Sequence, residues 1–161
     1  MIIVEGPDNS GKSTLAKYIG ERRGLIIQES EGPPKSNQEI NDRIIRYARM
    51  NETLFVRHPV ISNSIYGKFR PEGDPVFPGL RDEFYNNPHL LIIYCDPGTR
   101  GLDSHVIKDH DTPEHLAMVN SNAEALIEAY RDWAIGHAHI AYRIGDSMER
   151  IVALVDAHGA Y

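Results

Sequence analysis

Gly6-Pro7-Asp8-Asn9-Ser10-Gly11-Lys12-Ser13, followed by Thr14, sets two glycines, a lysine and a hydroxyl at the spacing G-x-x-x-x-G-K-[ST]. That spacing has a mechanism. The glycines let the backbone turn tightly and approach an anion without a Cβ in the way. The amides of the loop, and of a helix that starts behind it, converge on one point and favour negative charge there. Lys12 brings a point charge to the β- and γ-phosphates of a triphosphate, and Ser13 a hydroxyl to Mg²⁺. Gly6, Asn9, Ser10, Gly11, Lys12, Ser13 and Thr14 are therefore candidates for binding ATP, with Mg²⁺ as its companion ion.

The motif needs a strand before it and a helix after it. Ile2-Ile3-Val4 supplies the apolar run, and Leu15, Ala16 and Ile19 supply one face of a helix over about 12–23, ended by Gly24. Further on, residues 25–28 read as a second strand. A capping box, Ser36 with Glu39, opens a helix that runs to about residue 50. Residues 53–56 and 90–95 read as the third and fourth strands, and 140–144 as the fifth. Helices are expected at 60–68, 79–86 and 99–107. One long helix is expected from Thr112 to about 137, and a last one behind the cap Ser147. Strands alternating with helices imply a parallel sheet covered on both faces. Ligands in such sheets bind beyond the carboxyl ends of the strands. The turns 6–13, 29–35, 57–70, 96–111 and 145–147 therefore face one site.

Those turns collect cations (Lys12, Arg57, Lys68, Arg70, Arg100, Lys108) and carboxylates (Glu5, Asp8, Glu29, Glu31, Asp96). Phosphoryl transfer needs both kinds: cations spread the charge of the transferred group, and carboxylates hold Mg²⁺ or take a proton. Arg57 directly follows a buried strand, and its planar fork suits a second phosphate; a surface ion pair is the alternative. His58 beside it is a substrate contact or a packing residue. Asp96 ends an apolar strand and is a candidate metal ligand with Ser13, although strands ending in Asp before Pro-Gly also occur without metal. Arg100 and Lys108 either close on the triphosphate or lie on a solvated helix face. Neither His137 with His139 nor Asp109-His110-Asp111 has zinc-ligand spacing with a third partner.

The chain has 161 residues, one domain's worth, with 23 acidic and 17 basic residues and a formal charge of −6. This balance argues against polymeric nucleic acid or an anionic membrane as a partner held by bulk charge. Cys95 is the single cysteine, so no internal disulfide forms. The N-terminus runs straight into a strand without a basic-then-apolar leader. The expected setting is the cytoplasm, or a host cytoplasm for a viral protein.

Taken together, Val4-Glu5-Gly6-Pro7-Asp8-Asn9-Ser10-Gly11-Lys12-Ser13-Thr14 is similar to the E-G-x-D-G-x-G-K-S-T of the thymidylate-kinase branch of the nucleoside monophosphate kinases. Arg57-His58-Pro59-x-Ile61-Ser62-x-x-x-Tyr66-Gly67 resembles that branch's second motif. The segments 92–97 and 111–116, with Asn122 and Tyr130, resemble later ones. The short phage-type deoxynucleoside monophosphate kinases are the nearest match. The resemblance implies a three-layer α/β P-loop fold over residues 1–161, with a five-stranded parallel sheet in the order 2-3-1-4-5 and a lid-like segment around 98–112. It implies that Lys12, Arg57 and Asp8 are catalytic, with Asp8 near the acceptor sugar and Arg57 on the acceptor phosphate. Gly145 and Asp146 would border the adenine of ATP, and a lid residue such as Arg100 would reach its phosphates. It also implies a homodimer. One position departs from the pattern: Val56 stands where the branch has an Asp.

The expected reaction moves the γ-phosphoryl of ATP onto a (deoxy)nucleoside monophosphate, giving the diphosphate. A nucleoside kinase acting on a 5′-hydroxyl, with Glu29 or Glu31 as base, is the alternative. A P-loop ATPase module is a third reading. Acceptor-side candidates are Asp8, Arg57, His58, Tyr66, Arg70 and Arg43, with Tyr47, Phe69, Phe77 and Tyr85 also near the expected base pocket.

Overall fold

The computed structural model describes residues 1–98 and 112–159. Five strands, β1 (Ile2–Glu5), β2 (Ile26–Gln28), β3 (Thr53–Val56), β4 (Leu91–Asp96) and β5 (Ile140–Arg143), form one sheet in the order β2-β3-β1-β4-β5. Every pairing is parallel, with Val4 beside Val56 and Glu5 beside Tyr94. The order and direction are those expected from the sequence. A parallel sheet has two covered faces, so its central strands are apolar at successive positions. Ile3, Phe55, Ile92 and Tyr94 pack under α2 (Asn37–Ala48), α3 (Pro59–Tyr66), α4 (Pro78–Tyr85) and α6 (Ala123–His137). Ile2, Val4, Leu54 and Ile93 pack under α1 (Lys12–Arg23) and α7 (Met148–His158). Val56 lies in this second layer and is buried. Among the described residues no helix is long and apolar enough to cross a membrane.

Local signals explain most boundaries. Gly24 closes α1 in the left-handed conformation, with φ 65°. Its N–H and that of Leu25 both bond to the Gly20 carbonyl, so Leu25 belongs to the helix cap and β2 begins one residue later than expected. Ser36 accepts from the Glu39 N–H at 3.0 Å, while the Glu39 carboxylate reaches the N–H of Lys35. The long helix expected from Thr112 is instead two, α5 (Pro113–Ser121) and α6, broken at Asn122. The Asn122 side chain bonds back to the Met118 carbonyl at 2.8 Å, and its N–H bonds to Met118 and Val119. Asparagine competes with the helix for its own carbonyls in this way. The helix expected at 99–107, together with Arg100, Lys108 and most of the lid-like segment, lies outside the described residues.

Candidate phosphate-binding site

The loop from Gly6 to Gly11 connects β1 to α1 across the carboxyl edge of the sheet. Gly6 passes so close to the Cys95 carbonyl of β4 that any Cβ would collide with backbone. Asn9 and Gly11 both take positive φ, 60° and 81°. Gly11 is the N-cap of α1 and offers no side chain to its free amides, which leaves them for an anion. Ser13 and Thr14 are exposed at this helix start. Lys12 is buried, and its Nζ donates to the Pro7 carbonyl at 2.6 Å and to Ser10 Oγ at 3.3 Å. Burial, and after it the charge of Arg57, pushes the Lys12 ammonium down to about 7.

Arg57 stands at the end of β3 with φ 68°, a left-handed conformation unusual for a side chain of this size. Its N–H bonds to the Val4 carbonyl. One guanidinium nitrogen donates to Tyr66 Oη at 2.7 Å and Tyr130 Oη at 3.1 Å; the other donates to Asp8 at 2.9 Å. The strained backbone is therefore fixed by four partners from three elements and the loop, which is how strain persists at functional sites. Burial opposes the Arg57 charge, but Tyr130, Tyr66, Asp8 and Glu5 hold its pKa well above the ordinary value.

Glu5, at the end of β1, is wholly buried behind the loop. It accepts from Tyr130 Oη at 2.8 Å and from the His58 N–H at 2.9 Å. Burial raises its pKa, while Arg57 and these donors pull against that rise. Glu5 is thus a strut between β1, α3 and α6. The sequence named Tyr130 only through its resemblance to a later family segment, with no role for its hydroxyl.

Several expected site residues have other roles. His58 is buried, stacks on Phe84 with ring centroids 4.4 Å apart, and caps α3 through Nδ1. Burial alone takes its pKa down to about 3. It is a neutral core residue, because the chain reverses the side-chain direction between Arg57 and His58. Arg43 donates to the Gly32 carbonyl and to Glu39, and pairs with Glu31; it pins the 29–35 turn to α2. Glu31 is further engaged by Arg46 and by the Tyr47 hydroxyl, so it is not a free base. Asp96 is bound by Arg131 at 3.1 Å and Arg143 at 3.5 Å and accepts the Gly98 N–H. Burial opposes ionisation, but these partners hold Asp96 below the usual range. Two guanidiniums on this carboxylate compete with any Mg²⁺ for it. Gly145 and Asp146 form the turn after β5, where Asp146 accepts the Arg143 N–H at 2.8 Å. Ile144 leans over Gly11 from this turn.

A groove of about 1700 Å³ lies between the 31–46 segment, residues 69–75 and the start of α5. Arg43, Phe69 and Arg70 line it, whereas Tyr47, Phe77 and Tyr85 do not. Lys12 and Arg57 are outside it, and Tyr66 connects the two regions: its hydroxyl meets Arg57 and its ring approaches both Arg70 and His115. Among the described residues no group of three His, Cys, Asp or Glu side chains could hold a metal ion. The donor set fits an Mg²⁺ ion that arrives with phosphates and keeps waters, since the Ser13 hydroxyl is exposed at the helix start.

No protein-family model matches the chain, and no curated protein does. Solved structures do. The YorR protein of Bacillus subtilis, in complex with phosphorylated GDP, superposes with a TM-score of 0.72 at 19% identity, covering 99% of this chain and 98% of that one. Deoxyadenosine kinase of M. mycoides with bound dATP gives 0.60 at 17% identity, covering 99% of both chains. The same kinase with its products dCMP and dCDP gives 0.58 at 17%, over 97% and 96%. At these identities the likeness concerns the fold alone, a five-stranded parallel sheet in the order β2-β3-β1-β4-β5 with helices on both faces.

Proposed function

We propose that this protein transfers the γ-phosphoryl group of ATP to the phosphate of a (deoxy)nucleoside monophosphate. The observation that carries the reading is that a buried lysine at the start of α1, Lys12, and a largely buried arginine at the end of β3, Arg57, lie at the same sheet edge beside a wide groove. The charge of Arg57 disfavours that of Lys12, and an anion between them relieves that repulsion. The fold of nucleotide-binding kinases supports the same reading.

In this reading the amides at the start of α1 and Lys12 hold the β- and γ-phosphates. Ser13 would hold Mg²⁺, which would supply charge neutralisation for the transferred group. The turn at Gly145 and Asp146, with Ile144 against Gly11, borders the adenine. Arg57 turns its remaining donors to the acceptor phosphate, and Asp8, Tyr66 and Tyr130 keep it in place. An acceptor phosphate oxygen attacks the γ-phosphorus as the bond to the β–γ bridging oxygen breaks, giving ADP and a nucleoside diphosphate. That oxygen is already anionic at neutral pH, so no general base is needed; positioning and charge do the catalysis.

One observation favours a second reading, transfer to the 5′-hydroxyl of a nucleoside: one structural neighbour, seen with two sets of ligands, is a deoxyadenosine kinase. That chemistry wants a base: Glu31 is engaged by Arg46 and Tyr47, while Glu29, exposed in the turn after β2, is the other candidate. Coupled assays of Lys12→Ala and Arg57→Ala test the proposal. Both lose most turnover with a monophosphate acceptor; a near wild-type rate for Arg57→Ala contradicts its assigned role.

A further inference from the structure

His137 and His139, around the end of α6, are wired in opposite senses. His137 Nδ1 lies 2.9 Å from the Trp133 carbonyl, which can only accept, so this nitrogen carries a proton and the bond survives in the charged ring. His139 meets a donor instead. The Ile92 N–H of β4 donates to His139 Nδ1 at 2.9 Å, while the His139 N–H donates to the Ile92 carbonyl at 2.9 Å. The imidazole thus stands in for a strand carbonyl and extends the β4–β5 ladder just ahead of β5. The contact requires an unprotonated Nδ1. Protonation replaces the accepting lone pair with a second N–H that faces the first.

The groups around His139 add to this. From α7, the His158 ring lies edge to face with it, centroids 5.5 Å apart. From α6, the His137 ring is turned to Trp133 and Tyr85. At the chain start the Met1 ammonium donates to the His89 carbonyl, and on α7 Asp156 pairs with Arg23. Among the described residues no carboxylate bonds to His139 or His158, and both rings are exposed to solvent protons. Partial burial, and after it the charge of His158, lowers the His139 pKa from its ordinary 6.5. The unfolded chain therefore takes up this proton at higher pH than the folded one. The stability is present above 6.5 and is lost as pH falls through the lowered value.

We infer that His139, with His158 facing it, is an acid-sensitive latch on the β4–β5 edge: in mild acid the bond from Ile92 to Nδ1 opens, and β5 loosens from the sheet together with α7 behind it. The loosened strand leads into Ile144, which leans over Gly11 of the phosphate loop, so the same event slackens that side of the loop. The latch is a property of the ligand-free chain and does not depend on which reaction the site performs.

Amide hydrogen exchange of the ligand-free full chain, followed by NMR between about pH 8 and about pH 5 and corrected for intrinsic exchange rates, tests this. Protection of Ile92 and of the β5 amides is read against Val4 and Phe55 in the central strands, which report whole-chain effects such as the burial of neutral His58. In wild type the relative protection of Ile92 is expected to fall about threefold to tenfold in acid, the worth of one hydrogen bond. His139→Asn sets an amide oxygen, which does not titrate, in the place of Nδ1, and is expected to hold that ratio constant. His158→Gln removes the opposing charge and is expected to move the loss to higher pH. Ile92 protection that tracks Val4 and Phe55 throughout in wild type overturns the inference, and so does an equal relative loss in His139→Asn. The ring nitrogen shifts of His139 in the wild-type chain give a check that needs no variant: the proton is expected on Nε2 at about pH 8, and a proton on Nδ1 overturns the latch.

Discussion

The hydroxyl of Tyr130 donates to the carboxylate of Glu5 at 2.8 Å, joining residues 125 apart in sequence, and accepts from Arg57 at 3.1 Å. This contact ties the strand that enters the phosphate loop to α6 and steadies the arginine on the acceptor side. Tyr130→Phe removes a donor from a wholly buried carboxylate, which costs about 1–3 kcal/mol of stability, read by urea unfolding. It also frees Arg57 on one side. The acceptor KM rises while the KM for ATP changes little. Equal effects on both would show a merely structural role.

The state of Lys12 gives a pH dependence. Its folded pKa is about 7, against 10.5 ordinarily. The unfolded chain thus binds more protons than the folded one between these values, so this group makes the protein more stable as pH rises from about 7 towards 10.5, and that gain is gone once pH has fallen back to about 7. Triphosphate reverses the imbalance, because an anion favours the charged lysine. Binding at pH 8 therefore takes up protons, and calorimetry in two buffers of different ionisation heat gives different apparent enthalpies. Equal enthalpies contradict the buried, depressed lysine.

His58 belongs to the core. Its ring lies against Phe84, Tyr47 and Phe55. Replacing it with alanine costs roughly 3 kcal/mol, as for other buried aromatic rings, and lowers the melting temperature. Protein held below that temperature keeps an acceptor KM within a few-fold of wild type. A KM raised tenfold with unchanged stability would return His58 to the site.

Asp96 is tested through Mg²⁺. Asp96→Asn weakens its contacts with Arg131 and Arg143 and costs about 1–2 kcal/mol of stability. The Mg²⁺ concentration for half-maximal rate stays as in wild type. A several-fold rise in that concentration would restore Asp96 as a metal ligand.

Much of the framework was legible in the sequence for physical reasons. Residues 6–14 could be read as a tight strand-to-helix loop because few backbone paths make that turn, and the alternation of apolar strands and capped helices dictates a parallel sheet. The side chains at the carboxyl edge were legible as a set but not as partners. Glu31 belongs to the turn after β2 and Arg43 to α2, yet they neutralise each other. His58 adjoins Arg57 but faces inward, since one backbone residue at positive φ redirects the chain. The Tyr130 pattern Leu126, Tyr130, Trp133 reads as plain core, and its hydroxyl matters only because Glu5 lies opposite. The break at Asn122 was hidden because its apolar stripe continues across it.

The central claim concerns what accepts the phosphoryl group. Incubation with γ-labelled ATP and Mg²⁺, together with each common deoxynucleoside monophosphate or each nucleoside, followed by separation of products, decides it. The account predicts label in a nucleoside diphosphate, formed only when a monophosphate is present and lost in Arg57→Ala. Label in a monophosphate made from a nucleoside, or in inorganic phosphate at the same rate with every acceptor, contradicts it.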